Sequence, residues 1–474
     1  MTSGGEAAPT LRRAVLLMTA SSLLVPAAGV LTQPILAQAL GVEGRGALAA
    51  AIAPAVLAIS VATLGLPDAL VYYLAKRPGL TRKALMWAAL MSVVLGLVCL
   101  LLTVLALPFL SGGDAELGSL IVLGMSLTVP ALLVGVLRGA ATGRQMWSAV
   151  ASERLVNTAL RIVAFVLLWV LGELTVLAAV LVSTLSPLVC GVVYWRLLLR
   201  PPTDAREVST DPADDPYLDR LADGIARPLV SYGSRVWLGS VAEMLLSRMG
   251  QILMTPLAGV VELGLFSVAT TIADLPLILA IAIQGTLFGF NSKTRDAGKV
   301  QTTTRLTVLV TMAGCVVLGG TLPFWIGRLF GDEFQAATVP TLMLMLSAIV
   351  CIPGLMAAVG LSAWGRPGLR SSGLTITLAV NLVVLLVLVP ALGAIGACWA
   401  SIASNVVMSS YMIVTAGRVM NVRRRDFVVV RPSDVGLAWR EGRRLLSELR
   451  SRGRGRPRDR SEPGVGDRGT EGDE

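Results

Sequence analysis

The sequence predicts an all-α integral membrane fold: about twelve transmembrane helices arranged as two pseudo-symmetric six-helix bundles. Three observations predict it. Of 474 residues, 54% are hydrophobic and only 15% charged, with mean hydropathy +0.74, whereas a soluble domain is about a quarter charged. Apolar runs long enough to cross a bilayer recur from Ala14 to the 410s, separated by loops whose charge alternates. The second half of the chain repeats the pattern of the first.

Windows of roughly twenty apolar residues place spans at 14–39, 47–72, 84–110, 119–137, 155–171 and 175–195. The second set falls at 231–255, 264–290, 305–325, 338–361, 372–391 and 395–416. Arg12 and Arg13 precede a run too long for a signal h-region and no small-residue cleavage site follows, so the first span is expected to be retained. Every second loop is basic. Arg12/Arg13, Lys76/Arg77/Arg82/Lys83, Arg138/Arg144/Arg154, the 196–229 connection, Lys293/Arg295/Lys299, Arg366/Arg370 and the arginine-rich tail fall on one side. The other side holds Glu43, Asp114/Glu116, Glu173, Glu262 and Asp332/Glu333, with Arg45 and Arg328 as its few cations. The positive-inside rule then puts both termini in the cytoplasm.

Residues 200–229, rich in Pro and Asp, read as a cytoplasmic linker with one short helix. The domain reading is an N-terminal six-helix lobe at 1–199, this linker, a C-terminal six-helix lobe at 230–418, and a cytoplasmic basic tail at 419–474. Within the tail, residues 433–450 carry Val435, Trp439, Leu445, Leu446 and Leu449 at helical spacing, with arginines outside that stripe. This predicts an interfacial amphipathic helix on an anionic leaflet, and residues 451–474 are expected to be disordered.

The five cysteines all lie inside apolar runs and there is no histidine. Neither a disulfide framework nor a clustered zinc site is therefore expected. The net charge of +10 does not indicate nucleic acid, because the arginines sit in short inter-span loops.

The repeat is read from ordered matches. Gln33 through Val42 aligns with Gln251 through Val260, Ser22 with Ser240, and Gly46 with Gly264. Further on, Ala141-Thr-Gly143-Arg144 matches Ala363-Trp-Gly365-Arg366, and Asn157…Gly172 matches Asn381…Gly396. Six spans per copy make this a parallel repeat about an axis along the membrane normal, the usual architecture of a two-lobed transporter.

Polarity inside the spans marks the candidate site. At 100° per residue, Tyr232, Ser240, Glu243, Ser247 and Gln251 of span seven share an arc of about 100°, flanked by Arg235 and Arg248. The first span shows a fainter stripe of Thr19, Ser22, Pro26 and Gln33. Arg161 in span five and Asp274 in span eight are further buried candidates. Arg161 and Arg235 are close enough to a helix end to snorkel. Arg248 and Asp274 lie at similar depth, and a structural ion pair is one reading of them. Glu243 is central, with no cation at i±3 or i±4, and reads as neutral, as paired across the cavity, or as an ion-coupling group.

The turn Leu40-Gly41-Val42-Glu43-Gly44-Arg45-Gly46 resembles the "LGPEGxG" turn of the polysaccharide-biosynthesis flippases, relatives of the multidrug and toxic-compound extrusion transporters and the lipid II flippases. Glu262-Leu-Gly264-Leu-Phe266, Phe330-Gly-Asp-Glu-Phe334 and Asn381…Val389-Pro390…Gly393-Ala-Ile-Gly396 extend the resemblance over about residues 14–416. It implies two six-helix bundles in a V and export of a lipid-linked oligosaccharide from the cytoplasmic leaflet of a bacterial inner membrane. Where many relatives carry "RxD" in span seven, this chain has Arg248-Met249-Gly250, so no coupling role carries over to Gly250.

The expected function is thus a flippase for an undecaprenyl-diphosphate-linked glycan, working by alternating access around a cavity between spans one, two, seven and eight. Arg161, Arg235 and Arg248 are the expected anion anchors, Gln33, Ser240 and Gln251 the sugar contacts, and Glu243 or Asp274 the groups answering a proton or sodium gradient. No cofactor is expected. The expected partners are membrane lipid, the glycan-lipid substrate and glycan-assembly proteins. The alternative is a multidrug or cation antiporter on the same fold. A membrane enzyme is disfavoured because no long loop carries a catalytic cluster.

Overall fold

The computed structural model describes residues 7–194, 226–278, 280–281, 283–284, 296–429 and 436. Side chains are described from Gly29 onward, except at 30, 78, 226, 228, 232, 234–236 and 238–240. The predicted linker therefore lies outside the described residues, apart from its last four positions, as does nearly all of the predicted tail helix. The described residues up to 428 belong to one compact unit.

Among the described residues the regular elements are helices alone, and eight of them are long and apolar enough to cross a membrane. Two of the eight are double crossings. Ala7–Ala62 breaks at Gly41 (φ 67°), and Arg45 beyond the break reaches back to hydrogen-bond Gln33 before it. Pro367–Val419 breaks at Gly393 (φ 55°), and Asn381 donates to Ser404 at 3.2 Å across that bend. A straight helix would hold those two residues about 35 Å apart. Trp147–Val170 and Ala226–Ala258 complete the twelve; their arginines and glutamates, not their length, keep them from the apolar set.

Glycine makes these reversals because φ near +60° costs an L-residue its Cβ clearance. The same positive-φ glycines recur in both halves: Gly41 with Gly259 and Gly113 with Gly331. The duplication read from the sequence is thus present in backbone conformation.

The reversals also correct the loop assignment. Glu43 and Arg45 were expected in an outer loop at 40–46, but helix resumes at Val42 and leaves no loop there. Acidic residues on this face cap helices. Asp114 accepts from Glu116 N at 2.8 Å, Glu262 accepts from Ala394 N at 2.7 Å just past Gly393, and Glu333 accepts from Val42 N at 3.3 Å just past Gly41. A carboxylate at a helix N-terminus satisfies an orphan N–H and complements the dipole. Glu262→Gln should lower stability by about 1–2 kcal/mol through the weakened charged hydrogen bond, measured by thermal unfolding in detergent.

The two lobes meet along a seam with pseudo-twofold symmetry. A Cβ on Gly46 would lie 1.9 Å from the carbonyl oxygen of Val260, and one on Gly264 would lie 2.1 Å from that of Val42. These are the residues paired by the repeat, so each lobe offers the other the same contact. On the opposite, basic-loop face, a Cβ on Gly65 would meet the Gly233 carbonyl oxygen at 2.3 Å, and Trp237 Nε1 donates to Val61 O at 2.8 Å. Span two therefore touches span eight on the acidic-loop face and span seven on the basic-loop face.

After span twelve the chain docks back. Phe427 is fully buried, and Arg305 donates to the Asp426 carbonyl at 2.9 Å. The first residues of the predicted tail, up to about 428, thus belong to the body.

Candidate functional site

Of the stripe the sequence describes on span seven, the side chains of Glu243, Ser247 and Gln251 are among the described residues. Over 241–258, Glu243 and Ser247 are its two exposed positions, while Ala242 and Met254 are buried on other faces. The side chains of Arg235 and Ser240 lie outside the described residues.

Glu243 has a partner from another helix: it forms an ion pair with Arg370 of span eleven. Glu243 sits near the middle of the 33-residue span-seven helix, fifteen residues or about 22 Å from its far end. Glu243 is thus paired with a residue of its own lobe. Arg248 and Asp274, one reading of which was a structural ion pair, form no such contact. Arg248 instead donates to Gln251 on its own helix at 2.8 Å, and its Nε is buried without a partner.

Asp274 lines a cavity of about 160 Å³ inside the C-terminal lobe. Spans seven, eight, ten, eleven and twelve wall it, with Ser247, Thr270, Ser347, Asn381 and Asn405 as polar members. Asn405 Nδ2 donates to Ser347 Oγ at 2.9 Å. Asn381 spends its amide N–H on Ser404 and keeps a buried, unpartnered Oδ1. The expected cavity between spans one, two, seven and eight is not where this pocket lies. This pocket lies within the C-terminal bundle.

Gly250 also faces this cavity. A Cβ there would approach the Phe266 ring to 3.1 Å, so a side chain at this position needs the ring to give by a few tenths of an ångström.

In the N-terminal lobe, Gln33 is half-buried and accepts from Arg45. Arg161 lies with its guanidinium carbon 5.9 Å from the centre of the Phe165 ring, Nε buried and unpartnered. Arg45 is the residue sequence reasoning missed. It was assigned to a loop yet is only 7% exposed. The available signal was its spacing from Val42 and Leu48, both buried, which puts it on the inward face of its helix.

Two bundles of six helices, a twofold seam and polar groups buried within each bundle define a membrane transporter fold. The chain belongs to the polysaccharide-biosynthesis protein family, whose pattern it matches over residues 11–295. Solved structures share the fold at low identity. The lipid II flippase MurJ in an inward closed conformation is 12% identical over 90% of this chain and 92% of its own, with TM-score 0.67. An inward-facing multidrug resistance MATE family transporter of the MOP superfamily is 16% identical over 86% and 99%, with TM-score 0.64. A MOP superfamily transporter from Pyrococcus furiosus, whose binding pocket is described as reversed in polarity, is 15% identical over 86% and 95%, with TM-score 0.57. No curated protein sequence matches significantly.

Proposed function

We propose that this protein is a flippase that carries a lipid-linked, undecaprenyl-diphosphate-type oligosaccharide or polysaccharide precursor across a bacterial cytoplasmic membrane by alternating access. Its basic loops and both termini face the cytoplasm. The observation that carries the reading is the reciprocal seam between Gly46/Val260 and Gly264/Val42. It supports two lobes that part and re-form as rigid bodies, and membership of a polysaccharide-biosynthesis family supports the class of cargo.

Arg161, Arg235 and Arg248 take the diphosphate, since guanidinium groups match phosphoryl oxygens in geometry and stay charged when desolvated. Gln33, Ser240 and Gln251 meet sugar hydroxyls. Asp274, and Glu243 when released from Arg370, answer a proton or sodium gradient. The residues bind and move the cargo without bond chemistry.

Deletion should leave lipid-linked glycan on the cytoplasmic leaflet, read by the accessibility of the glycan in oriented vesicles. Wild type restores export and Arg248→Ala does not. Drug sensitivity with normal glycan export would favour the cation antiporter instead. The Glu243–Arg370 pair separates coupling from structure. Its side chains are 46% and 33% exposed, so pairing contributes less than about 1 kcal/mol. Glu243→Gln should therefore leave thermal stability nearly unchanged while reducing gradient-driven transport at least tenfold; equal transport by the variant would remove Glu243 from the coupling role.

A further inference from the structure

The N-terminal lobe holds buried positive charge without a counter-charge. Arg45, 7% exposed, donates one terminal N–H to the neutral Gln33 side chain and leaves Nε–H without an acceptor. Arg161 likewise buries an unpartnered Nε–H, and Asn157, one turn before it, buries an unpartnered Oδ1. Neither arginine has an ion-pair partner among the described residues. By contrast, the buried Glu153 of the same lobe is held by Arg138.

These groups share one level of one bundle. Gln33 lies eight residues before the Gly41 turn and Arg161 nine before the end of its helix, about 12 and 14 Å from the acidic-loop face. Phe165, beside Arg161, belongs to the same apolar cluster as Leu36 and Leu48, which flank Gln33 and Arg45 by three residues. Spans one, two and five therefore close around them.

A buried cation without its partner strongly destabilises a fold, and an apolar residue of the same volume would hold it better. An ionisable group retained at such a cost inside a membrane bundle marks a ligand site. The free groups specify the ligand: donor-only guanidinium N–H groups suit an oxyanion, and the Asn157 oxygen beside them suits a hydroxyl.

We propose that Arg45 and Arg161 form an oxyanion subsite in the N-terminal lobe that takes a phosphate or diphosphate group, with Gln33 as the neutral acceptor that the anion displaces. The identification of this anion with the substrate's diphosphate rests on the flippase reading; the subsite itself does not. Anionic phospholipid headgroups share the chemistry and are the other source.

The test is thermal unfolding of the purified full chain with inorganic pyrophosphate, in neutral-lipid nanodiscs and in nanodiscs containing phosphatidylglycerol. Wild type should gain several degrees with pyrophosphate. Arg45→Met should unfold at an equal or higher temperature without ligand, yet need at least tenfold more pyrophosphate for the same shift; Arg45→Lys should respond in between. Arg161→Met gives the same pattern and serves if Arg45→Met does not fold. A lowered midpoint with an unchanged pyrophosphate response would make Arg45 a structural residue and overturn the subsite. So would a wild type that responds to neither anion. A response to phosphatidylglycerol alone, lost in Arg45→Met, supports the oxyanion subsite and assigns it to lipid headgroups. Normal anion binding with no glycan translocation in vesicles would sink the flippase reading and leave the subsite standing.

Discussion

Gly46→Ala should abolish closure of the lobes on the acidic-loop face and reduce transport more than tenfold. The added methyl would lie 1.9 Å from the Val260 carbonyl oxygen and 2.8 Å from its carbonyl carbon. No carbon approaches a carbonyl oxygen that closely, and the opposing group is helix backbone, which cannot rotate away as a side chain would. Gly264→Ala should give the same phenotype, because it places a methyl 2.1 Å from the Val42 carbonyl oxygen. Each lobe keeps its own core in these variants, so expression and helicity should persist while a cysteine at Val42 becomes more reactive to a membrane-impermeant thiol reagent. Gly29→Ala is the control: among the described residues no other group lies within 4 Å of its would-be Cβ, and a helical Gly to Ala change stabilises by about 0.5–1 kcal/mol. Wild-type transport by Gly46→Ala would show that the seam never needs to close.

The largest stability effect is expected at Glu153. Its carboxylate is fully buried where spans four, five and six converge. Arg138 binds it with two hydrogen bonds, of 3.1 and 2.9 Å, and Tyr194 donates to it at 3.3 Å. Glu153→Ala removes one member and leaves a guanidinium and a buried phenol without acceptors. Breaking a buried pair this way costs about 3–5 kcal/mol. The lower figure applies, because the Arg138 side chain keeps 37% exposure and can recover some water. Glu153→Gln preserves shape and should cost roughly half as much, through weaker neutral hydrogen bonds. Thermal unfolding in detergent separates the three proteins. An unchanged midpoint for Glu153→Ala would mean that water reaches this site.

Much of this was readable from the chain. A hydrophobic run long enough to cross lipid must be a helix, since backbone groups have no other partners there, so the twelve crossings followed from composition and length. The duplication was readable because glycines that reverse the chain recur at matched positions, and no other residue adopts their φ freely. The Glu243–Ser247 stripe was readable because helical periodicity fixes which residues share a face.

Other features were not. Arg45 looked like a loop cation because a seven-residue interval rich in glycine and charge resembles a loop, and the sharp reversal at Gly41 lets helix resume at once. The acidic bias of one face looked like topology alone, yet Asp114, Glu262 and Glu333 each cap a helix, two of them far away in sequence. The partner of Glu243 lies 127 residues distant, and no local pattern specifies it.

The sequence by itself determined the helices, their number and their twofold relationship, because these depend on hydrophobic length and on backbone freedom at single residues. Only the tertiary structure decided which charges within the spans are matched. Arg138 meets Glu153 and Arg370 meets Glu243, while Arg45 and Arg161 meet no acid among the described residues. Charge pairing depends on distances of a few ångströms between helices far apart in the chain, and one-dimensional periodicity carries no information about those distances.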